Sequence, residues 1–334
     1  MNRSHAVQPT GTAPSPIGAP ARPAFETHAA PRRPRGGSRR WLRWTLAGAA
    51  ALTSTLLLVA AAGLVMAERR MHRQVEVAVA PIAIPDDAAS VARGHYLFES
   101  RGCADCHGID GGGRSFVDQP PLRLAGPDIT AGGRTADYRS RDWVRSVRHG
   151  VAPDGRPLRI MPSEDYNRLT DADLGALVAY VKQLPPGAGA QAVVELPLAG
   201  RLLYGFGLMT DAAARIDHRL PPALPVAEGV TVEHGRYVAQ MCTGCHGAGF
   251  GGGRIPGSPP DWPAAANLTP GQGGVLARYA DAASFARMMR SGQRPDGSRI
   301  GVMPFEAVGK LNETDLQALY AFLRALPPRE AGSR

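Results

Sequence analysis

The chain has 334 residues, 44% of them hydrophobic, with 40 glycines and 30 prolines. That content is rich in loops but sufficient to bury cores, which excludes wholesale disorder, and the length points to two or three domains. The formal charge of +9 does not mark a nucleic-acid surface: residues 1–43 hold eight arginines against the single acid Glu26, and the rest is nearly neutral.

Residues 1–40, rich in Pro, Ala, Gly and Arg without hydrophobic periodicity, read as a disordered basic cytoplasmic tail. From Trp44 to Ala67 run 24 residues without a charge, long enough at about 1.5 Å per residue to cross a bilayer core of about 30 Å. A transmembrane helix is predicted over 41–68. The competing reading is a cleavable signal peptide ending at Val65-Met66-Ala67, but its apolar region normally runs only about 7–15 residues. Arg32, Arg33, Arg35, Arg39, Arg40 and Arg43 precede the run, whereas Arg69, Arg70 and Arg73 follow it beside Glu68. The larger basic count marks the cytoplasmic side, which places the remainder on the periplasmic side of the inner membrane, anchored by a single pass.

A first domain is read over 88–186. Helices are predicted around 91–100, before Cys103-Ala-Asp-Cys106-His107, and around 141–148. The strongest follows Thr170, where Thr170 and Asp173 form a capping box ahead of Leu174, Leu177, Val178 and Val181. A linker over 187–229 carries prolines at 197, 221, 222 and 225. Its apolar stretch Leu202–Phe206 is too hydrophobic for an indifferent spacer, and is read as packing between domains or touching the membrane.

The second domain, 230–329, repeats the first. Ser146–Pro186 aligns without a gap onto Met288–Pro328, matching Gly150 with Gly292, both Pro-Asp-Gly triplets, both Met-Pro pairs and the closing Leu-Pro-Pro. Upstream, Gly94-His95-Tyr96 matches Gly235-Arg236-Tyr237, Cys242-Thr-Gly-Cys245-His246 repeats the cysteine motif, and Gly111–Arg114 recurs as Gly251–Arg254. Helices are expected at 232–241, at 282–290 and through Leu316, Leu319 and Leu323. No convincing alternating strand stands out, so both copies read as all-α.

All four cysteines lie in the two Cys-x-x-Cys-His motifs. This is the haem c attachment pattern: two thiols form thioethers with the porphyrin, and the adjacent histidine supplies an axial iron ligand. A zinc site would draw all four cysteines onto one ion, yet the motifs lie in separate repeats. A redox dithiol or disulfide leaves each following histidine unexplained. A second axial ligand shared by both copies points to Met161 and Met303, each stiffened by a following proline. His149 competes with Met161, but its counterpart is Ser291, so it is read as a surface or haem-edge residue. His95 and His234 share no register and are read as solvent-facing. Asn267-Leu268-Thr269 fits a glycosylation acceptor, but it aligns with Asp128-Ile129-Thr130, which favours a loop role.

The Cys-x-x-Cys-His and distant Met-Pro arrangement resembles the class I cytochrome c family over about 88–186 and 230–328. More narrowly, the runs CHG, GGG, NLT, RPDG, MP and LPP are similar to cytochrome subunits of periplasmic alcohol and gluconate dehydrogenases. The resemblance implies a small helical fold around each haem, with N- and C-terminal helices packed together, and a role as electron acceptor for a dehydrogenase. It departs from those subunits in having two haem motifs rather than three and an N-terminal anchor. The expected protein is all-α, with two tandem class I cytochrome c domains after one N-terminal transmembrane helix and two covalently attached haem c groups. The expected ligand sets are Cys103, Cys106, His107 and Met161, and Cys242, Cys245, His246 and Met303. Histidine and methionine together leave the iron no open position, which favours an electron carrier over an enzyme. Electrons would come from a periplasmic dehydrogenase or another respiratory donor and pass to a terminal oxidase, quinone or soluble cytochrome. The alternatives are a subunit of a terminal oxidase complex and a dihaem peroxidase-like enzyme.

Overall fold

A computed structural model describes residues 37–259 and 261–334, so most of the tail read as disordered lies outside the described residues. Helix α1 spans Gly37–Met71. Its segment Arg39–Met71 is long and apolar enough to cross a membrane, and nearly all of it is exposed. The described chain divides into a unit ending at Thr55, within α1, and a compact unit over Leu56–Arg334.

In each copy the first and last helices cross. In the first, α2 (Ala88–Ser100) packs on the later helix Asp171–Gln183 around Leu97, Phe98, Leu174 and Val178, all nearly inaccessible. The repeated glycine explains how closely they approach: a Cβ on Gly94 would lie 2.0 Å from the Ala176 carbonyl oxygen. In the second, helices Val232–Val238 and Glu313–Ala325 cross in the same way, and a Cβ on Gly235 would lie 1.9 Å from the Ala318 oxygen.

Between these helices the first copy runs α3 (Cys103–His107), strands β1 (Arg114–Gln119) and β2 (Leu122–Gly126), α4 (Ser140–His149), α5 (Ser163–Tyr166) and α6 (Asp171–Gln183). Strand β3 (Val193–Glu195) and helix α7 (Leu198–Gly205) come from the connection. The second copy runs α8 (Val232–Val238), α9 (Thr243–His246), α10 (Ala282–Ser291), α11 (Phe305–Val308) and α12 (Glu313–Ala325). The helix expected over 232–241 stops at Val238 and tightens into a 3-10 turn at Ala239–Cys242. α4 and α10 end on Gly150 and Gly292, whose φ values of 64° and 69° are left-handed and need no side chain.

Two expectations are corrected. The fold is mostly helical rather than all-α, because β1, β2 and β3 form a small antiparallel sheet in that order. The hairpin escapes notice because Pro120-Pro121 replaces the usual Asn-Gly or Asp-Gly turn signal. Along residues 74–80 exposed positions alternate with the half-buried Val75, Val77 and Val79, and Val79, Ile82 and Ile84 pack on the first core. The capping box at Thr170 is only half formed. The Thr170 hydroxyl accepts from the Asp173 N–H at 3.1 Å, while the Asp173 carboxylate is engaged elsewhere.

That engagement joins the two copies. The Tyr237 hydroxyl donates to Asp173 at 2.6 Å and accepts from the Thr170 N–H at 3.3 Å; reciprocally, the Tyr96 hydroxyl donates to Asp315 at 2.6 Å and accepts from the Asn312 N–H at 3.2 Å. Repeat-equivalent residues thus meet as the surfaces of a symmetric dimer would, in one chain. Arg93 adds a two-pronged bond to Asp173, and Arg101 and His234 both reach Asp315. His234, expected in solvent, is 2% exposed, because the buried Asp315 carboxylate recruits it.

Candidate haem sites at the two cysteine motifs

The first motif forms one short helix and the second runs from a 3-10 turn ending at Cys242 into α9, and in each the histidine is held by a backbone carbonyl. His107 Nδ1 lies 2.8 Å from the Pro127 oxygen, and His246 Nδ1 lies 2.8 Å from the Ala266 oxygen. A carbonyl only accepts, so Nδ1 carries the proton and Nε2 keeps its lone pair, the tautomer a metal requires. Burial lowers the pKa of both imidazoles, against the raising effect of the carbonyl bond. Loss of the proton at Nε2 is therefore favoured in both sites.

The carbonyls are positioned by equivalent turns. Asp128 Oδ1 accepts from the Thr130 N–H at 2.8 Å and Asn267 Oδ1 from the Thr269 N–H at 2.9 Å. Asp128 also takes the Gly189 N–H, and Asn267 donates to the Arg329 oxygen, each tying the turn to the chain beyond the last helix. Asn267 is 2% exposed and serves this loop, not as an accessible glycosylation acceptor.

Cys103, Cys106, His107 and Met161 line one cavity of about 700 Å³, a size suited to a cofactor. Its walls include Leu97, Phe98, Trp143 and Leu177 from the first core, and Met241, Pro304 and Ala307 from the second domain. Close approach at its floor depends on Gly126, where a Cβ would lie 2.1 Å from the Cys106 oxygen. In the second domain Cys242 and Met303 pack against the core of Leu276, Phe285, Leu319 and Phe322; His246 is buried and Cys245 exposed.

Burial pushes the thiols up, to about 12 for Cys103 and Cys242 and to about 11 for Cys106, and raises Cys245 as well. A redox dithiol depends on a lowered thiol pKa, so these surroundings disfavour that reading. Donor set, tautomer and apolar walls together fit a haem c at the first site, and the repeated His–carbonyl pair extends the fit to the second.

His149 does not share this cavity. It is 7% exposed, not on the surface, and its Nδ1 lies 3.0 Å from His218 Nδ1. Burial first, then His218 and nearby arginines, lower it to about 4.

Sequence reading also missed Asp165. Its carboxylate accepts from the Gly244 N–H at 2.8 Å, inside the second motif, and burial pushes its pKa up to about 7. Asp165 follows Met161 in the first domain, so α5, just beyond one candidate ligand, holds the attachment helix of the other site. The reciprocal contact places α11 beside α3. The only available sequence signal was the Met-Pro repeat, which gives position but not partner.

Comparisons with known proteins agree with this geometry. The cytochrome c family profile matches residues 91–185 and 232–327. The chain is 26% identical over 272 residues to the fructose dehydrogenase cytochrome subunit of Gluconobacter japonicus, covering 72% of this chain and 53% of that protein. It is 30% identical over 181 residues to the gluconate 2-dehydrogenase cytochrome c subunit of Pantoea cypripedii, covering 49% and 40%. Over 105 residues it is 34% identical to the cytochrome c subunit of the alcohol dehydrogenase (quinone) of Gluconacetobacter polyoxogenes, covering 29% and 22%. The matched region spans about half the length of these relatives or less. Two family matches covering more than half of its length show that the chain belongs to the cytochrome c family, as an electron-transfer protein similar to the cytochrome subunits of dehydrogenases.

Proposed function

We propose that the chain carries two haem c groups, one on Cys103, Cys106, His107 and Met161 and one on Cys242, Cys245, His246 and Met303. It accepts electrons from a periplasmic dehydrogenase and delivers them to quinone, a soluble cytochrome or a terminal oxidase. The domains are 88–186 and 230–329, joined by 187–229, and α1 holds them on the periplasmic face of the inner membrane. The observation that carries this reading is the repeated 2.8 Å bond from a motif histidine to a backbone carbonyl, which frees Nε2 in both copies.

Bound haem supplies reversible one-electron chemistry at iron. The protein residues do the rest. His107 and His246, with Nδ1 fixed, present Nε2 in one orientation; Met161 and Met303 supply a soft, neutral thioether that favours reduced iron. Leu97, Phe98, Trp143 and Leu177 would give the macrocycle of the first site apolar contacts. The reciprocal contacts of α5 with α9 and of α11 with α3 bring each attachment helix against the other domain. That arrangement suits passage of an electron between sites within one compact unit.

The dehydrogenase donor is supported by the named relatives. It is tested by adding fructose, gluconate, ethanol and other small oxidisable substrates to membranes containing the full chain. Haem reduction by one of them, lost when the chain is deleted, is the expected result. Reduction by quinol but by none of the substrates would instead support the oxidase-linked reading.

A further inference from the structure

The connection between the domains packs against the membrane helix. Gly205 of α7 meets Gly63 of α1 so closely that a Cβ on Gly205 would lie 2.1 Å from the Gly63 oxygen. A Cβ on Gly63 would lie 2.7 Å from Leu202 and 2.8 Å from the Phe206 ring. Two glycines at one crossing let the backbones touch, the packing typical of helices in lipid. Beyond the crossing, Arg73 makes two 2.6 Å bonds to Asp211, which also accepts from the Tyr204 hydroxyl at 2.6 Å. The Asp211 side chain is 1% exposed. Helix α1 is thus clamped to the connection rather than followed by a free tether.

Gly63 lies four residues inside the end of the uncharged run at Ala67, about 6 Å along the helix axis. Whatever packs on Gly63 sits at that depth if α1 spans the bilayer. That depth matches the roughly 5–10 Å to which interfacial helices enter the boundary between headgroups and acyl chains. The same segment turns Leu198, Leu203, Phe206 and Leu208 outward, at 59%, 40%, 42% and 73% exposure. Arg69 and Arg201 are exposed nearby in sequence to the crossing, suitable for phosphate headgroups.

We infer that residues 198–208 form a second, monotopic membrane contact, inserting Leu198, Leu203, Phe206 and Leu208 into the leaflet that receives the C-terminal end of α1. The partner is the phospholipid bilayer itself. This inference rests on the reading of α1 as a membrane span. Its consequence is that the cytochrome domains meet the membrane in one fixed orientation.

The test uses the full chain in vesicles of phosphatidylcholine and phosphatidylglycerol, with nitroxide spin labels on Leu198→Cys and Leu208→Cys. Leu57→Cys in the span and Lys310→Cys in the second domain serve as lipid and aqueous references, and the unsubstituted chain gives the labelling background. Leu198 and Leu208 are exposed, so their substitution leaves the packing intact. Collision with oxygen relative to a water-soluble nickel chelate should be several-fold higher at 198 and 208 than at 310. Values at 198 and 208 equal to that at 310, with Leu57 still lipid-like, overturn the membrane contact while leaving the span standing. Aqueous values at Leu57 as well overturn both.

Discussion

Where the first domain carries Asp165, the second carries Ala307, and each element packs against the other domain's attachment helix. A carboxylate on the Gly244 N–H faces the second motif, whereas a methyl group close to Gly102 faces the first. The docking carboxylates differ too. Asp315 is fully buried against Arg101, 5% exposed, while Asp173 is 12% exposed and pairs with the more accessible Arg93. Duplication therefore preserved the candidate iron ligands and the hydrogen-bond pattern but made their surroundings unequal. Two sites with the same ligand set can then hold different potentials, which gives an electron a direction.

The largest expected effect of breaking this asymmetry is on docking. Asp315→Ala leaves Arg101 as an uncompensated buried charge and strips Tyr96 and His234 of an acceptor, costing about 3–5 kcal/mol. Denaturant unfolding should show the loss. Asp173→Ala releases a pair closer to solvent and should cost less, about 1.5–3 kcal/mol. Equal losses would mean that the two halves of the interface are energetically alike.

A pH titration sharpens the same contrast. Burial alone would raise the Asp315 carboxyl, but Arg101, Tyr96 and His234 together lower it, and Arg93 and Tyr237 do the same for Asp173. A carboxyl lowered in the folded state contributes stability above its unfolded pKa, and that stability is lost as pH falls through the folded value. Small-angle scattering should find the docked form unchanged from neutral pH to near the ordinary carboxylate value of 3.8, with separation only below it. Separation already at pH 6 would contradict the assignment.

The smallest effect concerns the second site. Ionisation of Asp165 places negative charge beside it and favours oxidised iron, so its potential should fall as pH rises through about 7. Asp165→Asn should remove that slope, a change on the order of 1 kcal/mol for a unit charge at an effective dielectric of about 20. Asp165 also lines the first site's cavity, so redox titration at several pH values should show a slope at both haems, and Asp165→Asn should flatten both.

The sequence carried much of this architecture because local chemistry repeats. Gly94 and Gly235 marked the helix crossings, Met161 and Met303 recurred with their prolines, and caps at Thr170 and Asn312 set the last helices. What stayed hidden depends on distant partners. Tyr96 and Asp315 are 219 residues apart, and nothing near either forecasts the bond. His234 looked solvent-facing because its partner lies on another helix. The small sheet was obscured by a short hairpin whose third strand comes from the connection. Asp165, within α5, owes its role to the Gly244 N–H, 79 residues away, which nothing in its own neighbourhood forecasts.

The central claim is that Met161 and Met303 would join His107 and His246 in holding the haem iron. It is tested most directly by the Met–Fe(III) charge-transfer band of the oxidised full chain in Met161→Leu, Met303→Leu and the double variant, with haem c content checked in each. The account predicts two covalent haems per chain throughout, a band reduced by about half in each single variant, and none in the double, because thioether ligation is its source. An undiminished band in both single variants would contradict it.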